Sequence, residues 1–123
     1  MATLNDRVFD NGLTVIDTEA NAIHITSQEA SDYSDATSTS SLGFSSTLSV
    51  DAPSDRTGGG RKVSVAPITD GAVDGTGTAT HYAIVDTVNS RLLVTGALTA
   101  SQSVTTGNTF TLATFDIGIP DPA

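Results

Sequence analysis

The chain has 123 residues, the size of one domain with one core. Fourteen acids against five bases leave a net charge of −9, a surface that repels phosphate backbones and anionic lipid, so neither nucleic acid nor a membrane is an expected partner. There is no cysteine, which excludes a disulfide framework, a thiolate zinc site and a cysteine nucleophile.

Apolar residues make up only 37% of the chain, yet Val, Ile, Leu and Phe come in short bursts, so a folded chain is expected rather than wholesale disorder. The opening MATLNDRVFD has neither the basic start nor the apolar stretch of a secretory signal. Nor does any run approach the roughly 20 apolar residues of a membrane span. Synthesis in a cytoplasm without export is the expectation.

With two Glu, one Lys and no segment holding apolar residues at helical spacing for three turns, helix signals are nearly absent. Thr, Ser, Val and Ile suit a pleated, half-exposed surface. The expected fold is therefore all-β, a single antiparallel β-sandwich or small barrel with a long Ser/Thr-rich loop region. It divides into an N-terminal arm with strands (1–30), a loop-rich segment (31–60) and the main strands (61–119).

In chain order, Asn11-Gly12 is a turn signal, and Leu13 to Asp17 and Ala22 to Ser27 read as an opening pair of strands. Ala30 to Ser49 is Ser/Thr-rich with few large side chains, the pattern of a long loop or an edge segment. Leu42, Phe44 and Leu48, all on even positions, are its only anchors. The run DAPSDRTGGG then supplies a mobile loop.

Arg61 to Ile68, Thr76 to Asp86, Arg91 to Thr95, Leu98 to Val104 and Asn108 to Ile119 read as strands. They are punctuated by turn signals at 70–75, 87–90 and 106–108. In the last strand Phe110 and Leu112 share one face while Ala113, Phe115, Ile117 and Ile119 share the other. Either a β-bulge restores the face, or a partner subunit covers the second one.

The candidate chemistry is weak at each position. Asp70-Gly71 and Asp74-Gly75 hint at calcium, but the spacing matches neither an EF-hand nor a calcium β-roll, so they read as turns and no metal site is expected. His81 alternates with Ala79, Ala83 and Val85, and His24 shares its face with Ala22 and Thr26, so both read as packing residues. No Gly-x-Ser-x-Gly elbow exists, and the acids form no glycosidase pair beside an aromatic platform. Thr57 to Arg61, TGGGR, lacks the Gly-Lys-Ser/Thr ending of a phosphate loop. The chain reads as no enzyme, with no catalytic residue and no cofactor; a hydrolase or metal-dependent enzyme built on His81 or His24 is the weakest alternative.

From Ser54 to Ala123 the sequence resembles a family of small virion structural proteins of tailed bacteriophages, most clearly at Gly58 to Val65, TDGAV, GTATHYAIVD, SRLL and GNTFTL…FDIGIPD. The opening FDNGLTVIDTEANAIHITSQEASDY is similar as well. The resemblance implies a head decoration or cement protein on the capsid exterior, made in the host cytoplasm, that bridges and stabilises subunits of the major capsid protein. It also implies a homo-oligomer, with a trimer at a threefold position as the expected stoichiometry. The expected contact material is the N-terminal region, residues 31–49 with Phe44, and the C-terminal end at Phe115, Ile117 and Ile119. A tail- or fibre-associated module that binds the host is the alternative.

Overall fold

The computed structural model describes residues 3–4, 12–57 and 61–119. Among these, the elements in chain order are β1 (Thr3–Leu4), α1 (Thr14–Glu19), β2 (Ala22–Thr26), a π-helical turn (Asp35–Thr39), β3 (Ser41–Ser45), β4 (Ser54–Asp55) and β5 (Arg61–Val65). Then follow β6 (Ile68–Val73), β7 (Gly77–Asp86), β8 (Arg91–Val104), β9 (Thr109–Leu112) and β10 (Phe115–Ile119). The expected all-β architecture is present: a seven-stranded sheet in the order β1-β8-β7-β2-β3-β6-β9 faces a three-stranded sheet in the order β10-β5-β4, and every pairing is antiparallel.

The larger sheet curls into a half-barrel. Its two ends approach closely enough for the Gln102 side-chain amide in β8 to donate to the Thr111 carbonyl in β9 at 3.0 Å, although four strands separate β8 from β9 in the sheet order. Strand twist accumulates in this way when one face is apolar and closes over a core. That core draws Ile23, Ile25, Ile84, Leu93 and Val94 from the large sheet, Val63, Val65 and Ile117 from the small one, and Leu13, Val15 and Ile16 from the helical start.

A second, smaller cluster lies apart from the first. Ala22, Ala83 and Val85 meet Ala30 and Ala36, with Tyr33 and Leu92 packed against them. Every residue of β2 is consequently buried, because both of its faces are covered.

Several sequence expectations are corrected. Leu13 to Asp17 is not a strand: Gly12 turns the chain at φ 72° and α1 follows, with Val15 and Ile16 buried. The helix is shorter than two turns, so a criterion of three turns passes over it. Ala30 to Ser49 is not a long loop or an edge segment either. Ser31 to Ser40 folds back on itself around Asp35, whose carboxylate accepts from the Ser31 amide and the Ser40 hydroxyl, and Ala36 is buried beneath it. The next element, β3, is an interior strand between β2 and β6. Its place depends on Gly43, because a Cβ there would collide with the Ala72 carbonyl oxygen of β6.

Asp70-Gly71 is not a turn but lies inside β6, where the Phe110 ring covers the face of Gly71; Asp74 and Gly75 make the turn, and both their amides donate to the Leu42 carbonyl. The two expected strands from Arg91 to Val104 are one strand. Its register against β7 jumps from Ala97 opposite His81 to Gln102 opposite Ala79, so Leu98 to Ser101 bulge outward. Strand β5 ends at Val65, and Ile68 already belongs to β6. The final strand is two strands in different sheets. The chain crosses at Ala113 and Thr114, where the Thr114 hydroxyl donates to the Val65 carbonyl at 2.7 Å, and this change of sheet accounts for the switch of apolar face. Asn11 and Gly58 to Gly60 fall outside the described residues.

Candidate functional site

The antiparallel register of β2 puts His24 opposite Phe44 of β3 on one side and Ala83 of β7 on the other. The imidazole and the Phe44 ring stack with centroids 5.5 Å apart and planes 24° apart. His24 is buried, its Nδ1 lies 2.9 Å from the Ser41 hydroxyl, and Phe44 is 40% exposed. Burial pushes the His24 pKa below its ordinary value, and the nearby Asp74 carboxylate opposes the shift without cancelling it. The ring is thus held neutral over a wider pH range than a free histidine.

A groove of about 480 Å³ opens at this pair. Besides the stacked rings it is lined by Tyr33, from the segment that covers β2, and by Asp74 at the β6–β7 turn. The wall at Asn21 and Thr87 is pinned by two reciprocal bonds, Asn21 Nδ2 to the Thr87 hydroxyl at 2.8 Å and the Thr87 amide to Asn21 Oδ1 at 3.0 Å. The groove therefore combines aromatic faces with a carboxylate, and among the described residues that line it there is neither Lys nor Arg.

A second groove, of about 430 Å³, follows the seam where the curled sheet nearly meets itself, between Ala97–Gln102 and Leu112–Asp116. Tyr82 and Phe115 both line it, with ring centroids 4.6 Å apart. From Leu92 to Phe115 the sequence has no charged residue, so most of the seam is neutral. Asp116 at its rim is already engaged, accepting from the Ser64 hydroxyl at 2.7 Å and from Lys62 at 3.1 Å; these bonds, Ser64 first, hold its carboxyl below the usual range.

The predicted site residues divide between these surfaces and the interior. Ile117 is buried in the main core, and Phe115 and Ile119 pack partly buried against it. Ile117 therefore offers no surface to a partner, and Phe44 is the exposed member of the expected interface set. His81 is half-buried; the Thr80 hydroxyl lies 2.8 Å from its Nδ1 and 3.0 Å from the Ser27 carbonyl. Because that hydroxyl has one proton and the carbonyl can only accept, Nδ1–H is the donor to Thr80.

The two histidines are diagonal neighbours on one face of the sheet, His24 opposite Ala83 and His81 opposite Thr26, each with Nδ1 on a hydroxyl. A serine-hydrolase triad instead sets Nδ1 on a carboxylate and Nε2 on the nucleophile. Among the described residues no group of three His, Asp or Glu side chains is placed to hold a metal ion. No described helix is long and apolar enough to cross a membrane. Sequence reasoning finds Phe44, His24 and Asp74 singly but misses the stacking of the two rings and the placing of Tyr33 and Asp74 beside them, because the pairing of β2 with β3 and the fold of the β6–β7 turn bring them together.

Compared with protein-family models, with curated proteins and with solved structures, the chain matches none of them.

Proposed function

We propose that this chain is a non-enzymatic structural protein of a tailed-bacteriophage particle, a head decoration protein that sits on the capsid exterior and bridges neighbouring subunits of the major capsid protein. The observation that carries the reading is the resemblance of Ser54 to Ala123, together with the similar opening segment. The architecture supports it in physical terms. A curled sheet closed over one core by short connections gives a stiff body, and a Ser/Thr-rich acidic exterior keeps many crowded copies soluble. Each contact with the shell can then be weak, because repetition over a symmetric lattice multiplies weak contacts through effective concentration.

The test is the copy number of this polypeptide in purified particles, measured by quantitative mass spectrometry. Hundreds of copies per particle are expected for a decoration protein; a handful would move it to the tail or a vertex, and absence from particles overturns the proposal.

A further inference from the structure

Charge is distributed unevenly around the groove at Phe44. Of the five basic residues, Arg61 pairs with Asp55 at 2.6 Å, Lys62 with Asp116 at 3.1 Å and Arg91 with Glu19 at 3.4 Å, all outside the groove. Inside it stand a half-exposed phenylalanine, a tyrosine, a buried imidazole stacked beneath the phenylalanine, and the exposed carboxylate of Asp74. Aromatic faces carry negative charge in their quadrupole and attract cations, and a carboxylate at the same opening adds a full negative charge. The net charge of −9 extends the attraction beyond the groove.

A neutral His24 suits this arrangement, since a charged imidazole against Phe44 would repel the same cation. The groove is rigid where it matters. Asp74 is fixed by its backbone amide on the Leu42 carbonyl at 2.9 Å, Phe44 by strand pairing on both sides, and the far wall by the Asn21–Thr87 bonds. Fixed walls lower the ordering cost of binding. Its volume of about 480 Å³ accommodates one long side chain rather than a folded surface.

We propose that the groove between Phe44, Tyr33 and Asp74 is a receptor for a basic side chain of a partner protein, an arginine whose planar guanidinium lies against the Phe44 ring and pairs with the Asp74 carboxylate. Arginine fits better than lysine because its guanidinium stacks on an aromatic face and presents two parallel donors to a carboxylate. If the chain decorates a capsid, that arginine belongs to the capsid protein. The assignment of the groove itself rests only on its chemistry, and the copy-number measurement decides the location separately.

The experiment is an NMR titration of the intact labelled chain, at low salt, with N-acetylarginine amide and in parallel with N-acetylcitrulline amide, its uncharged isostere. Saturable shifts at the His24, Phe44 and Asp74 resonances are expected with the arginine compound, with little response to citrulline. Asp74→Asn and Phe44→Leu should each weaken the binding by about tenfold while the dispersed amide spectrum shows that the fold is kept. Phe44→Leu retains bulk and removes only the ring face. Absence of saturation, an equal response to citrulline, shifts centred elsewhere, or unchanged binding in both variants overturns the proposal. Equal or tighter binding of putrescine would assign the groove to a small polyamine and overturn the protein partner.

Discussion

Tyr82 of β7 faces Gly96 of β8 directly across the ladder, and its ring occupies the space a side chain at position 96 would need: a Cβ there would lie 2.6 Å from the phenol. Phe115 of the opposite sheet packs against the ring, so a side chain at position 96 would force the ring toward the seam groove and off Phe115. Gly96→Ala should therefore destabilise the fold by about 1–3 kcal/mol, the usual cost of forcing extra atoms into packed space. Urea titration checks this. In a Tyr82→Ala background the same substitution should cost much less, and an undiminished cost would show that the backbone, not the ring, is the obstacle.

The burial of His24 predicts a pH dependence of stability. Its folded pKa lies below the unfolded value, so the unfolded chain binds its proton more readily. Stability is then fully present above the unfolded pKa, near 6.5, and declines as the pH falls from there toward the folded pKa. The slope from this group cannot exceed about 1.4 kcal/mol per pH unit. Urea midpoints measured from pH 7.5 downward should fall less steeply for His24→Gln than for the parent, whereas Asp74→Asn, which removes the opposing carboxylate, should steepen the decline.

How much of this was visible in the sequence depended on side-chain size. In β7, Ile84 and Val85 sit among smaller residues in a long β-branched run, and the strand was read to within one residue of its start. In β3 the inward positions include Gly43 and Ser45, whose burial is decided by how closely β6 approaches and not by their own hydrophobicity, so the segment reads as a long loop or an edge segment. The parity change at Ala113 was visible, but parity reports only that the buried face changes; that the chain changes sheets is a long-range fact. The groove is hidden in the same way, since His24 meets Phe44 only through the pairing of two strands, one of which has the composition of a loop or an edge segment.

Asp86 ends β7 and organises the turn to β8. Its carboxylate accepts from the Val88 amide at 3.0 Å, from the Asn89 amide at 3.3 Å and from the Asn89 side chain at 2.9 Å, and the turn closes with Ser90 in the left-handed region at φ 54°. Desolvation, the largest influence, pushes the carboxyl pKa up. The Asn89 and Val88 bonds and the charge of Arg91 together outweigh it and hold the group below its usual range. Asp86→Ala would release the Val88 and Asn89 donors, which sit on exposed residues, to water and cost the net worth of the lost bonds, about 0.5–1.5 kcal/mol. Because the folded pKa is depressed, the contribution is present above the unfolded carboxylate pKa and is lost as the pH falls through the folded one. Thermal melts of parent and variant should differ at pH 7 and converge in strong acid; a constant difference across that range would refute the assignment.

Phe44 and Ile117 were singled out together as contact residues, and their surroundings predict opposite behaviour. Ile117 is 6% exposed, paired in register with Val63 and packed into the main core, so Ile117→Ala should cost about 2–5 kcal/mol as a cavity-forming substitution. Phe44 is 40% exposed on the outer face of β3 and loses mainly its stacking on His24, so Phe44→Ala should cost only about 0.5–1.5 kcal/mol. If the proposed decoration role holds, the two variants should separate in competition with the parent for particles stripped of this protein. Ile117→Ala should bind normally at temperatures where it is folded, while Phe44→Ala should bind weakly although it is folded. Normal occupancy by folded Phe44→Ala would remove the groove from the attachment surface, and a binding defect in folded Ile117→Ala would mean that the C-terminal strand meets the partner after all.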